Sequence, residues 1–275
     1  MKRVGITEER MMTDTRTDII TYGDIVSVYI DEKRNFVIRL VKGGILGTDK
    51  GFIKHDHIVG KSYGEFVRTS RGVKAYILPP ILLDKLKLLK RTTQVIYPKD
   101  LSFMIYLSGI TPGSHVVEAG VGTGFLTLSL ASFVGPQGRV YGFDVNERRI
   151  RILKEALGVL GYEDRVELRV ADIRRLQIDL PGIDAVFLDI PDPWNAIDTI
   201  YRVLKPGFPA IIYIPTVNQV EKTVLALREH GGFISIHAYE LLLREYDVSK
   251  GATRPQTLMI GHTGYIIYAR KVVCE

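Results

Sequence analysis

The chain has 275 residues, 46% hydrophobic and 25% charged, with a formal net charge of +6. That composition suits a globular protein with one large domain, or a medium domain and a small one. No apolar run approaches the roughly 20 residues that span a bilayer, and Met1-Lys2-Arg3-Val4-Gly5 has no apolar stretch behind it to read as a secretory leader. The single cysteine, Cys274, leaves no internal disulfide and disfavours a cysteine zinc site. The expectation is a cytoplasmic protein with no membrane association and no metal.

The positive excess lies at one end. Residues 1–90 carry 17 Lys/Arg against 11 Asp/Glu, and the remaining 185 carry 20 of each. A basic segment beside a neutral domain suits a polyanion partner, nucleic acid first; a mildly basic, solvated small domain is the other reading, and charge alone leaves both open.

Residues 1–17 are polar and read as a loosely attached start. From Asp18 to Pro80, short β-prone runs alternate with turn residues: Ile25–Ile30, Phe36–Val41, Phe66–Arg68 and Ala75–Leu78. Their spacing predicts a small barrel or curled sheet. Lys50, Lys54, His55, Lys61, Arg68, Arg71 and Lys74 form its densest cationic stretch. Pro79-Pro80 closes the unit, Ile81–Leu89 reads as a short amphipathic helix, and Pro98 biases Tyr97 away from helix. Asp100 is placed to cap an apolar helix over Leu101–Leu107. The expected division is a small β domain over 1–80, a linker helix and motif over 81–97, and a second domain over 98–275.

The second domain alternates strand and helix. Strands are expected at His115–Ala119, Arg139–Phe143, Val166–Val170, Ala185–Leu188, Ala210–Ile214, Ile234–Tyr239 and Tyr265–Ala269. Helices are expected up to Phe133, over Glu147–Leu160 and over Val217–His230. Such alternation implies an α/β fold with a mainly parallel sheet, whose ligands bind beyond the carboxyl ends of the strands.

Between the first strand and its helix stands Val116 to Phe125, V-V-E-A-G-V-G-T-G-F. Gly120, Gly122 and Gly124 permit a tight turn and close approach of a ligand to the backbone. An ordinary βα turn would read the same way, but acids sit at or near four strand ends: Glu118, Asp144, Asp172 and Asp189. Asp144 is placed to accept both ribose hydroxyls, and Asp172 to accept an adenine amino hydrogen. The turn lacks the Lys-Ser/Thr of a phosphate loop, and its acidic surroundings favour a cationic ligand. S-adenosylmethionine, with its ribose, adenine, ammonium and sulfonium, satisfies this site better than NAD or ATP. Asp189 opens Asp189-Ile190-Pro191-Asp192-Pro193-Trp194, where two prolines fix the backbone and the only tryptophan offers a wall for a flat ring. A helix-initiating turn with a buried Trp is the plainer alternative.

The set E-A-G-V-G-T-G, A-D, L-D-I-P-D-P-W, T-Q-V-I-Y-P-K-D and G-H-T-G-Y resembles the tRNA (adenine-N1)-methyltransferase family of TrmI type, archaeal-like, which modifies position 58 of the T-loop. The resemblance implies a Rossmann-like class I methyltransferase domain with a mainly parallel seven-stranded sheet, a small N-terminal all-β domain that contributes to tRNA binding, and a homotetramer. It implies S-adenosyl-L-methionine as cofactor, held by Glu118, Gly120, Val121, Gly122, Thr123, Gly124, Asp144, Arg149, Asp172, Ile173, Asp189 and Gln94. Asp189 is the implied catalytic carboxylate, with Gln94 and Tyr97 beside the target base. Some archaeal members have His where this chain has Tyr97 and also methylate position 57, which leaves the second position open. His262 is expected to make a structural hydrogen bond; for Arg244 and Arg254, RNA contact and plain solvation stand equal. Two other readings remain: a methyltransferase for another acceptor, a protein carboxylate or other RNA, and a non-catalytic tRNA-binding subunit.

Overall fold

The computed structural model describes residues 19–175, 180 and 182–273; the start at 1–17 and Cys274 lie outside the described residues. The chain divides into two compact units, Met1–Asp84 and Lys85–Glu275.

The first unit is all β. Strands β1 (Ile25–Asp31), β2 (Arg34–Arg39), β3 (Ile45–Thr48), β4 (Gly51–Lys54), β5 (Phe66–Arg68) and β6 (Lys74–Leu78) follow one another. Four of them form an antiparallel sheet in the order β2-β1-β6-β5, and β3 and β4 form a separate hairpin. Strict alternation along β6, with Ala75 and Ile77 buried and Lys74 and Tyr76 exposed, gives the sheet one inner face. Val26, Val28, Leu40, Ile53, Ile58 and Val67 complete its core. The sheet is open rather than closed into a barrel: among the described residues β2 and β5 do not pair.

Helix α1 (Leu82–Leu86) is shorter than the amphipathic run suggested. Helix α2 (Pro98–Ser108) starts earlier than expected, with Pro98 in its first turn and Tyr97 as N-cap. Proline suits that position because its missing N–H is one the helix start leaves unpaired. Asp100 therefore lies inside the helix rather than capping it. It is fully buried and accepts hydrogen bonds from Lys99 Nζ at 2.7 Å and Thr263 Oγ1 at 2.7 Å.

The second unit continues with β7 (His115–Ala119), α3 (Phe125–Phe133), β8 (Arg139–Asp144), α4 (Glu147–Leu160), β9 (Val166–Val170), β10 (Ala185–Leu188), α5 (Ile197–Val203), β11 (Pro209–Ile214), α6 (Val217–His230), β12 (Phe233–Tyr239), β13 (Tyr246–Asp247), β14 (Arg254–Pro255) and β15 (Tyr265–Lys271). One seven-stranded sheet runs in the order β12-β15-β11-β10-β7-β8-β9. The pairs from β11 to β9 are parallel, and β15 is antiparallel to both its neighbours. The chain builds outward from β7 to β9, then returns to lay β10 on the other side of β7, so the order reverses between β7 and β10. Crossover chains diverge at such a reversal and leave a crevice at the strand ends. The central strands are continuous apolar runs, buried throughout along β10 and β11, as helices on both faces require. Helix α4 buries Ile150, Leu153 and Leu157 at helical spacing, capped at its start by Asn146, whose side chain accepts from Arg149 N, and ended by left-handed Gly161.

Phe187 lies in the middle of β10 with no exposed surface. Phe187→Ala is expected to cost about 3–5 kcal/mol of unfolding free energy, measured by urea denaturation against the wild type.

Candidate active site

The crevice between β7 and β10 is built by backbone fit. A Cβ on Gly120 would lie 2.0 Å from the Asp189 carbonyl oxygen, and its φ is +89°. Only glycine lets the ends of β7 and β10 approach this closely. Gly124, at φ +90°, is the N-cap of α3, and a Cβ there would lie 2.2 Å from the Leu153 side chain of α4. The turn thus seats α3 against α4 and leaves the ends of β7 and β10 facing the crevice.

Two hollows open there, and both include Gly120 and Asp189 among their lining residues. One runs under β8 and β9, past Asp144, Arg149, Asp172, Ile173, Arg174, Pro191 and Asp192. The other is closed by Thr93, Gln94, Glu118 and the turn from Val121 to Gly124. Of the sequence candidates, Glu118, Gly120, Val121, Gly122, Thr123, Gly124, Asp144, Arg149, Asp172, Ile173, Asp189 and Gln94 line one or both. Tyr97 and Trp194 line neither. Trp194 lies in the 3-10 turn Pro193–Ala196 before α5, packs against the sheet core, and carries the Lys222 ammonium 4.1 Å from its ring centre. The segment does initiate a helix, with the tryptophan packed beside it.

Three carboxylates crowd this edge. Glu118 is 1% exposed, and neither of its oxygens has a hydrogen-bond partner among the described residues. Burial pushes its carboxyl up to about 8, helped by the charges of Asp189 and Asp144 and opposed by the Thr127 hydroxyl. That hydroxyl is itself buried and makes no close hydrogen bond among the described residues. Asp189 is raised to about 7 by burial and then by Asp144, and its carboxylate makes no hydrogen bond or ion pair among the described residues. Asp144, by contrast, is well served: Gly122 N donates to Oδ2 at 3.1 Å, Asn146 N donates to Oδ1 at 2.8 Å, and Arg149 lies 3.7 Å away. A buried, unpartnered Glu118 and a half-buried Asp189 beside a satisfied Asp144 fit a cationic, hydroxyl-bearing ligand better than a phosphate.

Asp172, expected to accept an adenine amino hydrogen, is already held by an arginine. Arg174 Nε and Nη2 bind its two oxygens, each at 2.7 Å, and Arg174 Nη1 reaches Asp192 at 2.8 and 2.9 Å. Arg174 therefore ties the β9 end to the Pro-Asp-Pro segment across the first hollow. The sequence reading missed it, although an Arg two residues past a strand-end Asp can fold back in this way.

A second omission is the clamp on the 92–97 segment. Thr123 Oγ1 accepts from Thr92 N and Thr93 N, both at 3.1 Å, and lies 3.0 Å from Thr93 Oγ1. The Thr123 hydroxyl is thereby committed to protein, and it fastens Gln94 over the glycine turn. Beyond it, Lys99 Nζ and Asp100 both bond Thr263 Oγ1, at 2.6 and 2.7 Å, and Tyr213 donates to Thr263 O at 2.6 Å. Burial, then the charges of Asp100 and Asp189 and the neighbouring Tyr97, raise the Tyr213 phenol. The G-H-T-G-Y motif is thus the anchor for the start of α2 and its N-cap Tyr97. His262 makes the expected structural contacts, with Glu240 Oε1 at 2.7 Å and Pro215 O at 2.8 Å.

Fold and site together define a class I methyltransferase. The chain belongs to the family described as the tRNA methyltransferase complex GCD14 subunit, whose profile matches residues 75–258; a TR61B FKBP-like domain profile matches residues 32–72. A relative in Methanocaldococcus jannaschii, tRNA (adenine(57)-N(1)/adenine(58)-N(1))-methyltransferase TrmI, is 36% identical over 82% of this chain and 87% of its own. The Thermus thermophilus tRNA (adenine(58)-N(1))-methyltransferase TrmI is 29% identical over 86% of this chain and 93% of its own. Among solved structures, a SAM-dependent O-methyltransferase from Thermotoga maritima is 37% identical with a TM-score of 0.87, covering 94% of this chain and 97% of that one. The m1A58 methyltransferase TrmI of Aquifex aeolicus is 25% identical with a TM-score of 0.80, covering 93% and 100%.

A carboxyl held above its ordinary value favours the folded state while protonated. Between about 4.5 and about 8 the unfolded chain gives up the Glu118 proton first, so stability falls as pH rises through that window. The ligand-free protein is therefore expected to lose thermal stability from pH 5.5 to 8, and Glu118→Gln to flatten the profile, by scanning calorimetry.

Proposed function

We propose that this protein transfers a methyl group from S-adenosyl-L-methionine to N1 of adenine 58 in the T-loop of tRNA. The carrying observation is the buried, unpartnered Glu118 beside a raised Asp189 at the β7–β10 reversal of a chain in a tRNA methyltransferase family. The cofactor would supply an electrophilic methyl on a positively charged sulfur. Glu118 and the Gly120–Gly124 turn would hold its amino-acid end, with Gln94 closing over it. Asp144, beside Arg149, would take the ribose hydroxyls on the lone pairs that Gly122 and Asn146 leave. Asp172 and Ile173 would border the adenine, with Arg174 keeping the Asp172 carboxylate fixed and ionised.

Adenine N1 carries a free lone pair once unpaired and needs no base to expose it. Positive charge spreads into the ring and its amino group as the N1–carbon bond forms. Asp189, accepting an amino hydrogen, orients the ring and stabilises that charge in a poorly hydrated setting. Tyr97, on the start of the anchored α2, would lie against the target base. Extruding the base costs a few kcal/mol, which phosphate contacts by the basic N-terminal unit help to offset without reading sequence.

The protein is proposed to work in the cytoplasm; among the described residues no helix is long and apolar enough to cross a membrane. The segment between β12 and β15 leaves Leu242, Val248 and Leu258 67, 81 and 88% exposed. A homotetramer, the assembly proposed here, would give that surface a cover.

The test is methyl transfer from labelled cofactor to an unmodified tRNA transcript, with nucleoside analysis and mapping of reverse-transcription stops. N1-methyladenosine at position 58 is expected, and the map reads position 57 at the same time. Asp189→Asn should lose at least ~100-fold in kcat. Methyl recovered on oxygen, or near-normal turnover by Asp189→Asn, would contradict the reading.

A further inference from the structure

Strands β5 and β6 pair Phe66 with Tyr76 and Arg68 with Lys74. Residues directly opposite, and residues two apart on a strand, share a face. One face of this hairpin therefore carries two aromatic rings followed by two cations. The next strand extends the first row, because Tyr29 of β1 is opposite Tyr76. The reverse face holds Val67, Ala75, Ile77 and Val28, all buried in the core of the first unit. Packing thus accounts for that reverse face and not for the aromatic one. Phe66 and Tyr76 remain 38 and 39% exposed, edge to face with centroids 6.1 Å apart.

Glu32 accepts from the Tyr29 hydroxyl at 2.9 Å at the far end of the row, but around Phe66 and Tyr76 the charges are unbalanced. Lys74 Nζ lies 4.6 Å and Arg68 Cζ 5.7 Å from the Phe66 ring centre. Arg68 donates to Gly72 O at 2.8 Å, and neither cation has a carboxylate partner among the described residues. Residues 50–74 hold six Lys/Arg and two acids. Both acids are occupied: Asp56 accepts from Tyr22 and Gly43 N, and Glu65 pairs with Lys61. A two-fold contact between copies through this face would set cation against cation. A polyanion with exposed ring faces fits it instead: the rings offer stacking that is indifferent to base identity, and the cations meet the phosphates on either side. β5 is also the outer strand of its sheet, with no strand on its far side.

We propose that the outer face of the β5–β6 hairpin is a nucleobase-stacking platform for the RNA substrate, in which Phe66 and Tyr76 take an unpaired base and Arg68 and Lys74 its flanking phosphates. This rests on the reading of tRNA as substrate and adds to it a second contact region, outside the methyl-transfer crevice.

The experiment compares the full chain with Phe66→Ala/Tyr76→Ala, Tyr76→Phe and Arg68→Gln/Lys74→Gln. It measures the Kd for unmodified tRNA transcript by fluorescence anisotropy across a salt series, with kcat and KM alongside. Phe66→Ala/Tyr76→Ala should raise Kd and KM about tenfold, with kcat, cofactor affinity and thermal midpoint unchanged. Tyr76→Phe, which keeps the ring, should bind as the wild type does. Arg68→Gln/Lys74→Gln should reduce the slope of log Kd against log salt by about 2. Unchanged Kd and KM in the double alanine variant overturn the platform, as does a change in its oligomeric mass by light scattering, which would make the face a contact between copies. The binding readout does not depend on methyl transfer. RNA binding without methylation sinks only the proposed acceptor, whereas no RNA binding by the wild type sinks both.

Discussion

The structure depends on one electrostatic constraint: three carboxylates, Glu118, Asp144 and Asp189, gathered where the sheet order reverses. Of the three, only Asp144 has hydrogen-bond donors among the described residues, Gly122 N and Asn146 N. Glu118 and Asp189 are instead held above their ordinary range, so the crevice carries an unmet demand for positive charge. Such an arrangement costs stability. It persists because the strands that deliver these acids are themselves deeply apolar, and because Gly120 lets β7 and β10 end almost in contact.

The rest of the second unit can be understood as support for that edge. The Thr92–Thr93 amides on Thr123 and the Lys99–Asp100–Thr263 cluster fix both ends of the segment that carries Gln94 and Tyr97. In the proposed reaction this segment stands between cofactor and base, so its rigidity sets the geometry of transfer. Buried polar networks that are fully satisfied are well suited to such a task. Arg174 plays the corresponding part on the other side, joining Asp172 to Asp192.

Much of this was legible in the residues. The strands of the second unit announce themselves as apolar runs ending in acids, and the reversal rule then places those acids on one edge. The glycine turn could be located but not its reason, since the clash of a Cβ with the Asp189 carbonyl depends on two strands 69 residues apart in the chain. Side-chain partners were the least legible. Asp100 looked like a cap because an acid before an apolar helix usually is one, yet proline at the first turn moved the helix start back and left Asp100 to a partner 163 residues away. Trp194 drew notice as the sole tryptophan, in a proline-bounded segment; it packs partly buried against the sheet core with Lys222 over its ring, contacts the sequence does not show. In the first unit, alternation along β6 separated core from surface, while the pairing that aligns Phe66, Tyr76 and Tyr29 needed the register.

The central claim is that the crevice is an acid cluster awaiting a cation, and calorimetric titration with S-adenosylmethionine at pH 7, in two buffers of different ionisation enthalpy, tests it most directly. A cation that ionises Glu118 and Asp189 must expel their protons. Net proton release on binding, reduced in Glu118→Gln, is the predicted result. Binding with no proton release, or with proton uptake, would contradict the account.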